Sequence, residues 1–304
     1  LTKDDVADRR ADARARRRVG DLRGPALGVV GRADHLHLRP PRDGVRERVE
    51  QPEREEDLHR ARQDHVERIR EFTLRADALG AYGQKKPTSP HIDALAAAGY
   101  RFSRAYTVTP LTIPAHSSLW TSLLPPRHGV QDNGDFFLSE GSTTLAELLQ
   151  SAGYQTMASV GAEVTSHHWG FAQGFDAYFD DLGKSRDEEK NRWRVERPAP
   201  DVVNDAITWF QGQRDKTKPY FTWLHMFDVH HPYEPPEPYR SQFPTRPYLG
   251  EVAWTDSQVH DFIQKLDAIQ EGDSTLLDNT LCFYGCATSK THRAINYPII
   301  LIGP

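Results

Sequence analysis

The sequence predicts an α/β protein around a largely parallel sheet, and three observations carry that expectation. Strand-like and helix-like segments alternate from about residue 73 onward. Tyr220 to Phe227 is a nearly continuous apolar run, the pattern of a strand covered on both faces. At 304 residues the chain is long enough for one large α/β domain, or two small ones, with a real core. In such sheets a site lies at the carboxyl ends of the strands.

The elements follow in order. Ser89-Pro90 starts a helix, with Ser as N-cap and Pro at the first helical position. Ile92, Leu95 and Ala96 supply its apolar face and Gly99 ends it. Tyr100 to Thr107 reads as a strand. Thr144-Leu-Ala-Glu147 is a capping box opening a helix that Gly153 closes. Gln155 to Val160 is the next strand. Asp201 to Gln213 is a helix with Val202, Ala206, Trp209 and Phe210 inward. After the Tyr220 strand come a helix over Thr255 to Ile269 and a strand over Thr280 to Tyr284.

The first 72 residues are different. Residues 1–70 contain no Phe, Trp or Tyr, are crowded with Arg, and hold almost no Lys. Charge runs such as Arg14-Ala-Arg-Arg-Arg18 and Glu53-Arg-Glu-Glu-Asp57 cannot bury enough surface to offset ordering entropy. Glu47 to Arg70 offers Glu-to-Arg pairs for a charged surface helix. The stretch reads as a disordered extension, or as GC-rich coding text translated out of frame. A formal net charge of -5 gives no electrostatic case for nucleic acid as a partner. No apolar run approaches the roughly 18 residues of a transmembrane span, and no signal peptide is read. Cys282 and Cys286 make neither a disulfide framework nor, without further Cys or paired His, a zinc site.

Several ordered blocks stand out. Asp77-Ala-Leu-Gly80-Ala-Tyr82-Gly83, then Pro90-His-Ile92-Asp93-Ala-Leu95, is similar to the opening block of bacterial sulfatases of the alkaline phosphatase superfamily. Pro110-Leu-Thr112-Ile-Pro114-Ala-His116, followed by Thr121-Ser-Leu-Leu-Pro125-Pro-Arg127-His128-Gly129, is similar to the nucleophile block. His225-Met-Phe-Asp228-Val-His230-His231-Pro232-Tyr233 and Tyr248-Leu-Gly250-Glu251-Val-Ala253-Trp-Thr-Asp256 match two later blocks. The resemblance implies an alkaline phosphatase-like three-layer sandwich, incomplete at both ends, over residues 73–304. It implies a sulfuric ester hydrolase acting on small-molecule or glycan sulfate esters.

Ester hydrolysis of this kind builds negative charge on nonbridging and leaving oxygens, which cations must stabilise while a nucleophile sits in line. In the family a Cys or Ser is oxidised to formylglycine, whose hydrate attacks sulfur. Thr112 stands at that position here. It is either a direct nucleophile, as in a phosphodiesterase or phosphotransferase, or a helix-start residue of a non-catalytic anion-binding member. His116 replaces the family Arg, so its charge depends on pH. His230 matches the His that contacts the ester; His225 and His231 are nearby, but family position favours His230. Asn133 is a substrate-facing candidate or a turn former, and Asp228 orients His230 or caps the strand. Lys290 and His292 align with the family's basic substrate-binding residues.

The family's divalent cation, calcium or magnesium, is held by carboxylates from two blocks, and both depart here. Phe72 precedes Thr73 where an acidic pair is expected, and phenylalanine cannot ligate a hard cation. Glu71 would point to the opposite strand face. Asp77 is the remaining carboxylate there, in a loop position that also fits a cap. Near the end, Gly285-Cys-Ala-Thr-Ser-Lys290-Thr-His292 takes the place of an Asp-His-Gly segment, and no carboxylate follows Asp278. The expectation is a sulfatase-like chain with impaired turnover.

Overall fold

The computed structural model describes residues 74–182, 196–286 and 298–303. The Arg-rich segment before Thr73 lies outside them.

Helix α1 (Pro90–Ala98) leads into the short strand β1 (Tyr100–Arg101). Then come α2 (Thr112–Thr121), α3 (Pro125–His128), α4 (Leu145–Ser151), β2 (Gln155–Val160) and β3 (Ala177–Phe179). Helix α5 (Ala199–Thr208) continues through a π turn at Trp209–Gln213 into β4 (Tyr220–His225). After α6 (Tyr239–Gln242), the long α7 (Pro247–Ala268) is followed by β5 (Gln270–Glu271), β6 (Ser274–Thr275), β7 (Cys282–Gly285) and β8 (Ile299–Ile302).

Two three-stranded sheets result. One runs β3-β2-β4, all parallel, with Gln155 paired to Tyr220 and Val160 to His225. The other runs β1-β8-β7 and is antiparallel. The expected inward residues of α5 are buried, Val202 and Ala206 completely and Trp209 and Phe210 nearly so. Ala206, Trp209 and Phe210 pack with Met157 and Leu266 behind the parallel sheet. A second cluster of Ile113, Trp120, Val160, Phe171 and Trp223 packs α2 with β2 and β4. A third joins α1, α7 and β8 through Ile92, Val252 and Ile300.

Polar devices fix the elements. Thr144 and Glu147 form the expected capping box, with the Glu147 N–H donating to Thr144 Oγ1 at 3.2 Å and the Thr144 N–H to Glu147 Oε2 at 2.7 Å. Ser89 does not cap α1 with its side chain. Asp256 of α7 does so from a distance, accepting from the Ile92 and His91 N–H groups at 2.7 and 3.2 Å. At the carboxyl end of β2, the Gly161 N–H donates to the His225 carbonyl at 2.8 Å. A Cβ there would sit 3.0 Å from that oxygen and 3.1 Å from the Arg197 carbonyl, so three backbones converge where only glycine fits well. No helix among the described residues is long and apolar enough to cross a membrane.

Candidate active site

Thr112 is the first residue of α2, and Leu111 before it is extended. Helix starts present unpaired N–H groups and the positive end of the dipole, which suits an anion. One of those groups is already used: the Ile113 N–H donates to Asn133 Oδ1 at 2.9 Å. One turn on, His116 Nδ1 donates to the Thr112 carbonyl at 2.8 Å. That bond places the proton of a neutral ring on Nδ1.

His116 does not stand by itself. Its ring lies 5.5 Å from Trp223 and 5.2 Å from His225, the last residue of β4. His225 sits 6.2 Å from Phe227, which stacks on His230 at 4.2 Å. Helix start and strand end are thus joined by a run of rings. Burial lowers the His116 pKa against a smaller opposing effect of the Thr112 carbonyl. His225 is pushed down to about 3, first by burial and then by the neighbouring His116 and His230. At neutral pH His116 and His225 are therefore uncharged, and His116 cannot supply the fixed charge of an arginine.

His230 follows β4 in the loop at the carboxyl end of the parallel sheet. Its Nδ1 donates to the His231 carbonyl at 2.9 Å. It lines a cavity of about 430 Å³ together with Glu196, Asp228, Glu234, Glu251 and Trp254. Burial raises the pKa of Glu196 and of Asp228, and raises that of Glu251 to about 8.

A sulfatase family model matches residues 73–280, more than half of the chain. The chain belongs to the sulfatase family. Among its relatives, the N-acetylglucosamine-6-O-sulfatase of Bacteroides thetaiotaomicron is 28% identical over 178 residues, 57% of this chain and 30% of that protein. The ulvan-active sulfatase of Formosa agariphila is 25% identical over 242 residues, 67% of this chain and 47% of the relative. This chain therefore spans less than half the length of these two relatives. The structure of Ps i-CgsB with k-i-k-neocarrahexaose superposes with a TM-score of 0.61 at 20% identity, covering 76% of this chain and 64% of that one. The phosphonate monoester hydrolase of Agrobacterium radiobacter does so with 0.61 at 18%, covering 77% and 67%. The fold is that of the alkaline phosphatase superfamily, as the sequence blocks imply.

In this sulfatase-family chain the remaining candidates fall as follows. Asn133 spends its side-chain oxygen on the start of α2. The Asp77 carboxylate accepts from Arg75 at 2.8 and 2.5 Å on the surface, with its side chain 53% exposed. Lys290 and His292 lie outside the described residues, as does the segment read as the second metal block. Among the described residues no three His, Cys, Asp or Glu side chains form a group able to hold a metal ion. The donors gathered near Thr112 are imidazoles, whereas calcium and magnesium take oxygen. The described residues therefore do not fit the family's cation. Two groups escaped selection from sequence. His225 gives way to His230 on family position, although it ends the largely apolar strand β4. Glu251, a lone carboxylate in the largely apolar start of α7, was the available signal for the acidic cavity.

Proposed function

We propose that this chain is the ester-binding part of a sulfatase-family hydrolase acting on sulfate esters, and that it turns them over poorly. The observation behind this reading is the pairing of a family-matched helix start at Thr112 with imidazoles that burial keeps neutral. Anion binding is supported by the helix dipole and by His230 at the strand end. Turnover is not, because leaving-group charge would meet neither a fixed cation nor an oxygen-donor metal group among the described residues. The family's calcium or magnesium would have to be held by residues other than the described ones.

A second reading has Thr112 acting directly as nucleophile on a phosphate or phosphonate ester. The side chain supports it, since threonine is not the usual formylglycine precursor. Assays with an aryl sulfate, a phosphodiester and a phosphonate ester in calcium, magnesium and manganese separate the two. The expected outcome is saturable binding of the sulfate ester with little hydrolysis. Robust metal-dependent turnover that Thr112→Ala abolishes would overturn it.

A further inference from the structure

The start of α2 offers an anion less than a helix start usually does. The Ile113 N–H is spent on Asn133 Oδ1 at 2.9 Å, and Pro114 has no N–H to give. Ala115 already donates to the Leu111 carbonyl at 2.9 Å. In the first turn only the Thr112 N–H has no partner among the described residues. An ester anion bound there needs charge from elsewhere, and the side chain anchored on Thr112 itself is that of His116.

Two imidazoles are held at this point in one tautomer. His116 Nδ1 donates to the Thr112 carbonyl at 2.8 Å. His225 Nδ1 lies 3.3 Å from Thr165 Oγ1, whose own proton goes to the Ala162 carbonyl at 2.9 Å, so this Nδ1 donates too. Each ring keeps a lone pair on Nε2, and neither Nε2 bonds to another of the described residues. Around the pair stand Phe171 after β2, Trp223 of β4, and Phe227 and His230 of the loop after β4. Tyr178 of β3 stands behind Thr165, its hydroxyl donating to the Thr165 carbonyl at 2.5 Å. No carboxylate among the described residues acts on either ring. An imidazolium here has no resident counter-ion, and a bound anion would be one.

We propose that the ester anion enters this site only together with one proton from solvent, which His116 takes on Nε2. The ligand thereby makes its own cation where an arginine would hold a permanent one. His116 is the acceptor because the Thr112 carbonyl favours its charged form, whereas His225 is opposed by His116 and His230 at once. The count stops at one, since two imidazoliums with ring centroids 5.2 Å apart would repel. This proton uptake presupposes the ester binding proposed above.

Calorimetry of the full chain with inorganic sulfate tests this, run in two buffers of different ionisation enthalpy from about pH 5 to 8. Sulfate carries no proton of its own in that range, so any proton bound comes from the buffer. Binding should take up about one proton per sulfate, and affinity should fall about tenfold for each unit rise in pH. His116→Gln should bind sulfate about tenfold more weakly at the acid end and take up no proton. His116→Arg should bind it without proton uptake and with a flat pH profile. If neither variant folds, the proton count of the unsubstituted chain decides. Sulfate binding without proton uptake, or uptake that survives His116→Gln, overturns the proposal and leaves the ester site standing. No sulfate binding at any pH overturns both.

Discussion

Two regions meet at the Phe227–His230 loop, and burial acts on them with opposite sign. On one side His116 and His225 are packed among Trp223, Phe171 and Phe227. Burial penalises their charged form, which for an imidazole means a lowered pKa. On the other side Glu196, Asp228 and Glu251 are penalised in the same way, which for a carboxyl means a raised one. One physical cause thus leaves two neighbouring surfaces resisting ionisation. They differ in packing: aromatic rings fill the imidazole side, whereas the carboxylate side encloses a cavity.

The largest effect should come from breaking the packed side. Trp223, 9% exposed, touches the rings of His116, Trp120, Phe171, Phe175, Tyr178 and His225. Trp223→Ala is expected to cost about 3–5 kcal/mol in denaturant unfolding, because a large ring leaves a site that cannot collapse. A loss below about 1 kcal/mol would mean that the rings are not closely packed.

The opposite signs give opposite pH flanks. His225 has a folded pKa of about 3 against an ordinary 6.5, so the unfolded chain binds its proton first. Its contribution is present above pH 6.5 and is lost as pH falls toward 3. Glu251 has a folded value of about 8 against 4.5, so its contribution is present below 4.5 and is lost as pH rises through 8. Between 4.5 and 6.5 the two slopes cancel, and stability from this pair should be flat there. Each flank is worth roughly 2–4 kcal/mol. Glu251→Gln should flatten the alkaline flank and extend the acid slope up to 6.5, and His225→Gln should flatten the acid flank and extend the alkaline slope down to 4.5, as read from melting temperatures across pH. A flank that survives its own substitution would assign the effect to other groups.

What was legible in the sequence divides along similar lines. The strand Gln155–Val160, the capping box at Thr144 and the inward face of α5 were readable, because periodicity and caps are local signals. Tyr100 to Thr107 was expected as one strand, yet only Tyr100 and Arg101 pair, with Leu301 and Ile300. The length of β1 is set by a partner about two hundred residues away, which no local pattern encodes. Helix α7 begins at Pro247 rather than Thr255 because its first turns pack against the proline-rich loop. The family blocks located Thr112, His116 and His230 in sequence. They did not reveal that His225 bridges His116 to the His230 loop, or that Glu251 faces the cavity beside it. Those facts depend on how β4, α7 and the loop after β4 pack together.

The smallest effect sharpens the comparison at the helix start. Asn133 was a substrate-facing candidate in the sequence, and its Oδ1 instead receives the Ile113 N–H at 2.9 Å. An oxygen that satisfies a helix-start donor is a cap, and losing such a cap typically costs about 1 kcal/mol. Asn133→Ala should therefore lower the stability of the folded chain by about that much in denaturant unfolding. If Asn133 acts only as a cap, affinity for an aryl sulfate should change less than about threefold, since threefold corresponds to roughly 0.65 kcal/mol. Asn133→Asp should retain the cap, because its carboxylate still accepts from Ile113 and favours the positive end of the helix. That same charge would repel an anion at Thr112. A variant that keeps full stability and loses aryl sulfate binding would place the anion at the start of α2. Unchanged binding would move it toward His230 and the strand end.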